Sequence, residues 1–391
     1  MTARIALFYY AVFLSAGVYN TIFPVWLHER GLSLAEVSLV LSVPIAVKLL
    51  VDPLMGALAD RTGWRKRLVV GLVAATALCN ALFALAHTFP QILGVALLSG
   101  LFWSAVMPLG DSIVSRRLAL TPVPYGRARS FGSLSKLTTS AIAGAVAVVL
   151  ADAAIVLLVA CYVVALMVVS LALPADDVHT PGKPRSSAAS PHPLDADPPR
   201  AALLVMLAVA LVLGAHALLY AVGSLYWTSL GFSSTTIALF WAAALLAEIV
   251  VFLLSDRAGL RRIAPATLVA IGAIAGIVRW LGLTVATDPI AIAGLQALQG
   301  ATLAGVNVAL MRYVTEKVSP LMASRTFGRV AAISHGLVPL SVTIVAGPLL
   351  AGIGAAVFGL GAVLCATALA MVAIAVRIAA RAKPARTVSA A

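Results

Sequence analysis

The chain has 391 residues, of which 62% are hydrophobic and only 10% are charged. Soluble domains carry about 25% charged residues, so this composition excludes a water-soluble globular fold and indicates that lipid covers most of the surface. The formal net charge of +13 would suit a nucleic-acid-binding protein. Most of its Lys and Arg residues, however, fall in alternate loops and in the termini, as expected of a membrane protein.

In chain order, twelve apolar segments follow one another, each close to the roughly 20 residues that a helix needs to cross a bilayer. Because backbone polar groups must be paired within the segment in lipid, we predict helices. The fold class expected is all-α integral membrane with twelve transmembrane helices. The predicted spans are residues 5–27, 34–57, 68–87, 91–115, 128–150, 155–173, 201–226, 234–254, 264–286, 290–314, 329–351 and 356–377.

Residues 174–200 interrupt this series, because they are rich in Pro, Ser and Asp and lack apolar periodicity. Such a segment is typical of a flexible linker. We predict two pseudosymmetric six-helix bundles at 1–173 and 201–378, followed by a tail at 379–391. The basic loops place both termini and the linker in the cytoplasm of a bacterial cell with the protein in its inner membrane.

The loop after the second span carries acidic, basic and glycine residues that recur later in the chain. Asp256 lies 196 residues after Asp60, and Glu248 lies 196 residues after Asp52. A constant offset at separate places indicates that the two bundles are internal repeats. The residues of these two loops that we single out are Gly56, Asp60, Arg61, Gly63, Arg65, Asp256 and Arg257.

The spacing of these loop residues resembles the signature loop of the major facilitator superfamily. Segments 23–28, 108–111 and 125–132 are similar to the branch that contains lactose permease and phenylpropionate permease. The resemblance implies the two-bundle major facilitator fold and proton-coupled symport of a small organic solute by alternating access. It also implies gating loops, in which Asp60 and Asp256 cap helices or bind loop arginines while Gly56 and Gly63 allow close backbone approach.

Other functions remain open within transport. A sugar or nucleoside symporter and a drug or metabolite exporter share this fold. A membrane enzyme is not expected, because no nucleophile or metal motif occurs in the sequence. Cys79, Cys161 and Cys365 lie singly in apolar spans, so we expect neither a metal nor any other cofactor. We expect no nucleic-acid partner, and we expect a monomer whose partners are the solute, protons and the bilayer.

Ionisable residues within the spans are costly, about 2.5–3.5 kcal/mol each on insertion scales, and therefore mark candidate sites. Lys48 and Asp52 are four residues apart and could pair on one helix face or take part in coupling. Asp111 and Arg129 match the positions at which lactose permease has an essential acid and a substrate-holding arginine. The resemblance implies that this pair lines the transport cavity.

Glu248 is the first candidate for proton coupling, because the sequence places no cation within one turn of it. The alternative is a neutral carboxylic acid that only packs between helices. Gln299 and Thr302 stand where the resembled permeases have titratable groups, so the coupling site of that branch cannot be carried over. Asp52, His216 and His335 are the further candidates.

Lys136 lies seven residues after Arg129 on the same helix face, where lactose permease has an aromatic residue that stacks on sugar. A lysine there favours a carboxylate substrate, most simply a monocarboxylate with an apolar or aromatic body. The alternative is that Lys136 extends towards the membrane surface. Candidate substrate-binding residues are Asp111, Arg129, Lys136, Arg279, Tyr19, Phe23, Tyr220 and Gln299.

The predicted topology can be tested with single added cysteines. We expect a cysteine at Ser186 to be labelled by a membrane-impermeant thiol reagent only from the cytoplasmic side, and one at Ser33 only from outside. Labelling of both positions from the same side would contradict the twelve-span topology.

Overall fold

The structure is a computed structural model, and it describes residues 2–118, 125–173, 199–255, 257–317, 330 and 332–382. Every regular element in these ranges is helical. The α-helices are α1 (Thr2–Thr21), α2 (Phe23–Glu29), α3 (Leu34–Thr62), α4 (Arg65–Ala81), α5 (Phe89–Trp103), α6 (Val106–Leu118), α7 (Tyr125–Val146), α8 (Ala153–Ala172), α9 (Pro199–Gly214), α10 (His216–Ser229), α11 (Ser234–Leu254), α12 (Ala258–Arg262), α13 (Pro265–Leu283), α14 (Pro289–Ala297), α15 (Val306–Lys317), α16 (Val338–Ile353) and α17 (Gly359–Ala382). Short turns of π-helix (Gly300–Gly305, Ile333–Leu337) and 3₁₀-helix (Leu82–Leu85, Gly354–Phe358) join some of them.

Within the described chain, nine helical segments are long and apolar enough to cross a membrane, or ten if the bent pair Ala6–Thr21 and Phe23–Glu29 is one span. Helix α7 is 22 residues long but too rich in basic and hydroxyl side chains to be among them. One 49-residue segment contains both α16 and α17, although Gly354, with φ of 57°, separates the two helices. The all-α membrane fold is confirmed, whereas these segments do not establish the predicted number of twelve spans.

Two loops with the same backbone structure support the internal repeat. Gly31 and Gly231 are both left-handed, with φ of 88° and 84°. The N–H group of each glycine donates at 2.9 Å to the carbonyl three residues earlier, and those of Leu32 and Phe232 donate to the carbonyl five residues earlier. This pattern is a Schellman motif, which ends a helix with a glycine because a side chain disfavours positive φ. We call these two segments the glycine loops.

A serine caps the helix that follows each glycine loop, Ser33 before α3 and Ser233 before α11. These caps are 200 residues apart, whereas the Asp-Arg loops at the other ends of the same helices are 196 residues apart. The stretch from the serine cap to the aspartate of the Asp-Arg loop is therefore four residues longer in the first repeat, about one helical turn. Counted from the caps, Glu248 corresponds to Lys48 rather than to Asp52. Lys48 and Asp52 are one turn apart on one face, so both alignments place Glu248 on the same face of the repeat.

Close backbone contacts join the N-terminal part of the chain (2–173) to the C-terminal part (199–382) near the glycine loops. A Cβ atom at Gly144 of α7 would lie 2.9 Å from the carbonyl oxygen of Ser234 on α11. A Cβ atom at Gly347 of α16 would lie 1.9 Å from the carbonyl oxygen of Leu34 on α3. Ser234 follows Leu34 by 200 residues, so the two contacts are equivalent in the repeat. The end of the molecule that carries the glycine loops is thus closed by glycine-backbone contacts on both sides.

The first Asp-Arg loop has a local ion pair. Gly63 ends α3 with φ of 73°, and the chain then turns directly into α4. This turn brings Arg65 back to Asp60, whose Oδ1 accepts a hydrogen bond from Arg65 Nη2. Asp60 is otherwise exposed, so this pair contributes little to stability by itself. The contact between the acid and a loop arginine agrees with the arrangement expected of this loop.

One expectation about the loop glycines is wrong. A Cβ atom at Gly56 would meet no atom within 4 Å, so Gly56 makes no close backbone approach in this conformation. Arg61 and Arg257 are exposed, and Asp256 lies outside the described residues.

Near the first glycine loop, Asp152 connects two loops by accepting two hydrogen bonds. Trp26 Nε1 donates to its Oδ1 at 2.9 Å, and Arg30 Nη2 donates to the same oxygen at 2.7 Å. These bonds, that of Trp26 first, lower the pKa of Asp152 because they favour the charged carboxylate. The contact is therefore present at neutral pH and is lost as the pH falls through this lowered pKa.

The close contact at Gly347 predicts the effect of adding one methyl group there. We expect Gly347→Ala to lower the temperature of thermal unfolding in detergent, because the new methyl group overlaps the backbone of α3, and such overpacking costs about 1–3 kcal/mol. Gly352→Ala is the matched control, since it lies in the same helix with open space around it. Unchanged unfolding of the Gly347 variant would show that α3 and α16 do not pack this closely.

Candidate functional site

Glu248 lies at the seam between the two parts of the chain and is fully buried. Its Oε2 accepts hydrogen bonds from Ser133 Oγ at 2.8 Å and from Lys136 Nζ at 3.2 Å, both on α7. Its Oε1 accepts a hydrogen bond from Gln299 Nε2. A buried carboxylate needs an opposite charge and several donors, and here those donors come from both sides of the seam.

Helix α7 presents different polar side chains to its two neighbours. Ser133 and Lys136 are three residues apart on the face that contacts α11. Ser135 and Thr139 lie on the face that contacts α1, where Thr139 Oγ1 donates to the carbonyl of Leu14 at 2.7 Å and Ser135 Oγ donates to that of Tyr10. The polar side chains that distinguish α7 from the apolar membrane-spanning helices therefore form hydrogen bonds within the protein.

Arg279 of α13 is fully buried on the other side of Glu248. Its Nη2 donates to Gln296 Oε1 at 2.7 Å and to Gln299 Oε1 at 2.6 Å, and its Nη1 approaches Thr302 Oγ1 at 3.4 Å. An arginine has only donors, so the amide oxygens of both glutamines must face it. The amide nitrogen of Gln299 then faces Glu248, and this fixes which way the amide points.

His216 of α10 ends this hydrogen-bonded chain. Its Nδ1 lies 3.0 Å from the carbonyl oxygen of Val212, which can only accept, so Nδ1 carries a proton. Its Nε2 lies 2.9 Å from Thr302 Oγ1, which also receives the bond from Arg279. Hydrogen bonds thus connect Glu248 to His216 through three intervening side chains, Gln299, Arg279 and Thr302.

One prediction about this cluster is wrong. Glu248 is not unpaired, because its cation comes from α7, 112 residues away in the chain. The Lys136 ammonium contacts the Glu248 carboxylate, and its expected role in binding a substrate carboxylate stays a prediction. The Arg129 side chain lies outside the described residues, so its role stays a prediction. Arg279, a candidate substrate-binding residue, is connected to the Glu248 carboxylate through Gln299.

The other ionisable candidates in the spans do not take part in the hydrogen bonds described for the Glu248 cluster. Asp111 Oδ1 accepts a hydrogen bond from Tyr9 at 2.8 Å, and its predicted pairing with Arg129 stays untested. Lys48 and Asp52 do not form the predicted ion pair among the described contacts, and Asp52 Oδ1 is buried without a hydrogen-bond partner there. His335 is exposed in the second π-helical turn, away from the Glu248 cluster's hydrogen bonds.

The aromatic candidates divide into packing residues and partly exposed residues. Phe23 is fully buried and stacks on Tyr19, with ring centroids 4.6 Å apart, so in this structure it is a packing residue, and its role as a wall of the transport path stays a prediction. Tyr19 and Tyr220 are partly exposed, and Tyr220 stacks on Trp241 at 5.7 Å. These two tyrosines remain candidates for the wall.

Sequence reasoning missed Ser133 and Gln296 as members of the cluster. A signal for them was present, because each precedes a recognised residue by one helical turn, Lys136 and Gln299 respectively. Polar residues at i and i+3 within an apolar span share a face and can reach one partner.

A sequence model of the MFS_1 like family matches residues 2–360. The chain belongs to this family of major facilitator transporters. It is accordingly a multi-pass membrane protein and a transporter rather than an enzyme.

Individual relatives agree with this assignment. The chain is 27% identical over 322 residues to the "Probable 3-phenylpropionic acid transporter" of Escherichia coli (strain K12), covering 81% of this chain and 83% of the relative. It is 31% identical over 129 residues to the maltose permease of Geobacillus stearothermophilus, a third of each chain.

Among solved structures, a mutant of the nucleoside transporter NupG has a TM-score of 0.76 at 14% identity, covering 96% of this chain and 99% of that one. The human organic anion transporter MFSD10 has a TM-score of 0.63 at 15% identity, with 96% and 98% covered. At these identities the structures support the fold alone.

Proposed function

We propose that this transporter moves a small organic carboxylate, such as an aromatic acid, across the bacterial inner membrane by alternating access coupled to protons. The two bundles, at 1–173 and 201–378, would rock about the solute, with both termini, the linker at 174–200 and the tail at 379–391 in the cytoplasm. The single observation that carries the proposal is the ion pair between Lys136 and Glu248 across the seam.

Because of this ion pair, protonation of Glu248 would change the strength of the contact between α7 and α11. When Glu248 is ionised, its Oε2 accepts two bonds from α7, one of them from a cation. Protonation removes the charge that attracts Lys136, and charge-assisted bonds are about twice as strong as neutral ones. Binding of a proton therefore weakens the seam, which is what coupling to a conformational change requires.

The charges in the spans support an anionic solute. Four cations, Lys48, Arg129, Lys136 and Arg279, stand against three acids, Asp52, Asp111 and Glu248, and protonation of Glu248 increases this excess. An uncompensated cation in the membrane is costly, and a carboxylate relieves it. The relative named for 3-phenylpropionic acid, matched over most of both chains, also favours an aromatic acid.

A second class of solute has narrower support. The maltose permease matches over a third of the chain, and the NupG likeness concerns the fold, so a neutral sugar or nucleoside is the alternative. An exporter of the same fold is the other alternative. Measurement of uptake and export in oriented vesicles distinguishes these directions.

The role of Glu248 predicts that its replacement separates accumulation from exchange. We expect Glu248→Gln to reduce proton-driven accumulation of radiolabelled solute in proteoliposomes to the equilibrium level while exchange continues, because the neutral amide resembles the protonated acid. Glu316→Gln is the matched control, since Glu316 forms an exposed ion pair with Arg312 at 2.9 Å that contributes little. Wild-type accumulation by the Glu248 variant would move the coupling site to Asp52, Asp111 or a histidine.

A further inference from the structure

We propose that Lys136 is exchanged between two carboxylates, that of Glu248 when the transporter is empty and that of the solute when Glu248 is protonated. This inference rests on the proposed function and specifies how one proton and one anion compete for the same ammonium group. In this exchange, Lys136 is the residue that selects a solute with a carboxylate over a neutral solute.

The first support is the set of donors that Lys136 leaves available. An ammonium group has three N–H donors. Lys136 Nζ has one described partner, Oε2 of Glu248 at 3.2 Å. The Lys136 side chain is 14% exposed, whereas that of Glu248 is 1% exposed. The donors that do not reach Glu248 are therefore the ones that an entering carboxylate can meet.

The second support is the oxygen on which a proton must bind. Arg279 holds the Gln299 oxygen, so the Gln299 amide nitrogen donates to Oε1 of Glu248. The Gln299 amide cannot reverse, because Arg279 holds its oxygen, so Oε1 keeps its acceptor role in this arrangement. We assign the proton to Oε2, the oxygen that contacts Lys136, because a donor on that oxygen is a hydroxyl that can turn. Ser133, which also contacts Oε2, can reverse its hydroxyl and accept this proton in a hydrogen bond.

The charges balance in this exchange. Before it, the Glu248 carboxylate and the Lys136 ammonium form a neutral pair. After it, Glu248 is a neutral acid, and the ammonium is paired with the carboxylate of the solute. One proton and one anion enter together, and the net charge of the partly buried site does not change. A neutral solute would leave the ammonium without an anion, which is costly away from water.

Other groups that can titrate near Glu248 do not provide this exchange. Arg279 of α13 and His216 of α10 belong to the same hydrogen-bonded chain, but Gln299 separates both from the carboxylate. Helix α10 also carries Tyr220, and α1 carries Tyr10 and Tyr19. The segments Pro289–Ala297 and Gly300–Gly305 that pack on α11 contain no ionisable residue. Within the described contacts, Lys136 is the cation that touches Glu248 directly.

The test measures binding of 3-phenylpropionate to the purified full-length transporter by calorimetry at acidic and at alkaline pH. The wild type should bind more tightly as the pH falls. Glu248→Gln should bind at every pH with the affinity that the wild type has at acidic pH, because Lys136 is already released. Lys136→Ala should lose about tenfold or more in affinity at all pH values.

Two further variants complete the test. Lys317→Ala is the matched control, because it removes a lysine at the end of α15 that has no described contact with Glu248, and it should keep the wild-type pH dependence. The double variant Lys136→Ala, Glu248→Gln leaves no unpaired charge, so it should fold and yet bind as weakly as Lys136→Ala alone. Thermal unfolding of each variant checks its folding.

The outcomes separate this inference from the proposed function. Proton-driven uptake of the acid by the wild type, together with unchanged pH dependence in Glu248→Gln, would overturn the exchange and leave the function standing. Wild-type affinity in the double variant Lys136→Ala, Glu248→Gln would also overturn the exchange and leave the proposed function standing. Absence of both binding and uptake of carboxylates by the wild type, with binding of a sugar or nucleoside, would overturn the proposed function and the exchange together.

Discussion

The burial of one carboxylate governs the arrangement at the centre of this transporter. Glu248 is removed from water, and an isolated ionised carboxylate in such a place is strongly unfavourable. Two of its three donors come from α7 on one side, and the third comes from Gln299, the residue before the first π-helical turn, on the other. The packing of α7 against α11 and the charge state of Glu248 are therefore not independent. A change in either one alters the free energy of the other.

The sequence predicted the features that depend on neighbouring residues. The helical membrane fold and the recurrence of the Asp-Arg loop followed from composition, span length and a constant offset. The ion pair of Glu248 could not be predicted in this way, because its cation is on another helix and 112 residues away. The identity of Gln299 as the bridge between Arg279 and Glu248 likewise depends on how three helices pack. Open space beside Gly56 and full burial of Phe23 are also properties of packing, not of spacing.

Helix α7 illustrates why a polar segment can still belong inside a membrane protein. Its hydroxyl and basic side chains would be unfavourable in lipid. Ser135 and Thr139 are satisfied by backbone carbonyls of α1, while Ser133 and Lys136 are satisfied by Glu248. The helix is thus held between two apolar neighbours by polar contacts on two faces, and its low hydropathy reflects this position.

The seam between α7 and α11 has two ends of different character. At Gly144 the helices meet through a glycine and a backbone carbonyl, with no ionisable group between them. At Lys136 they meet through an acid and a base. Contact at the first end depends on shape, whereas contact at the second depends on the opposite charges of two buried side chains. One end of this helix contact is therefore fixed by shape, and the other is fixed by charge.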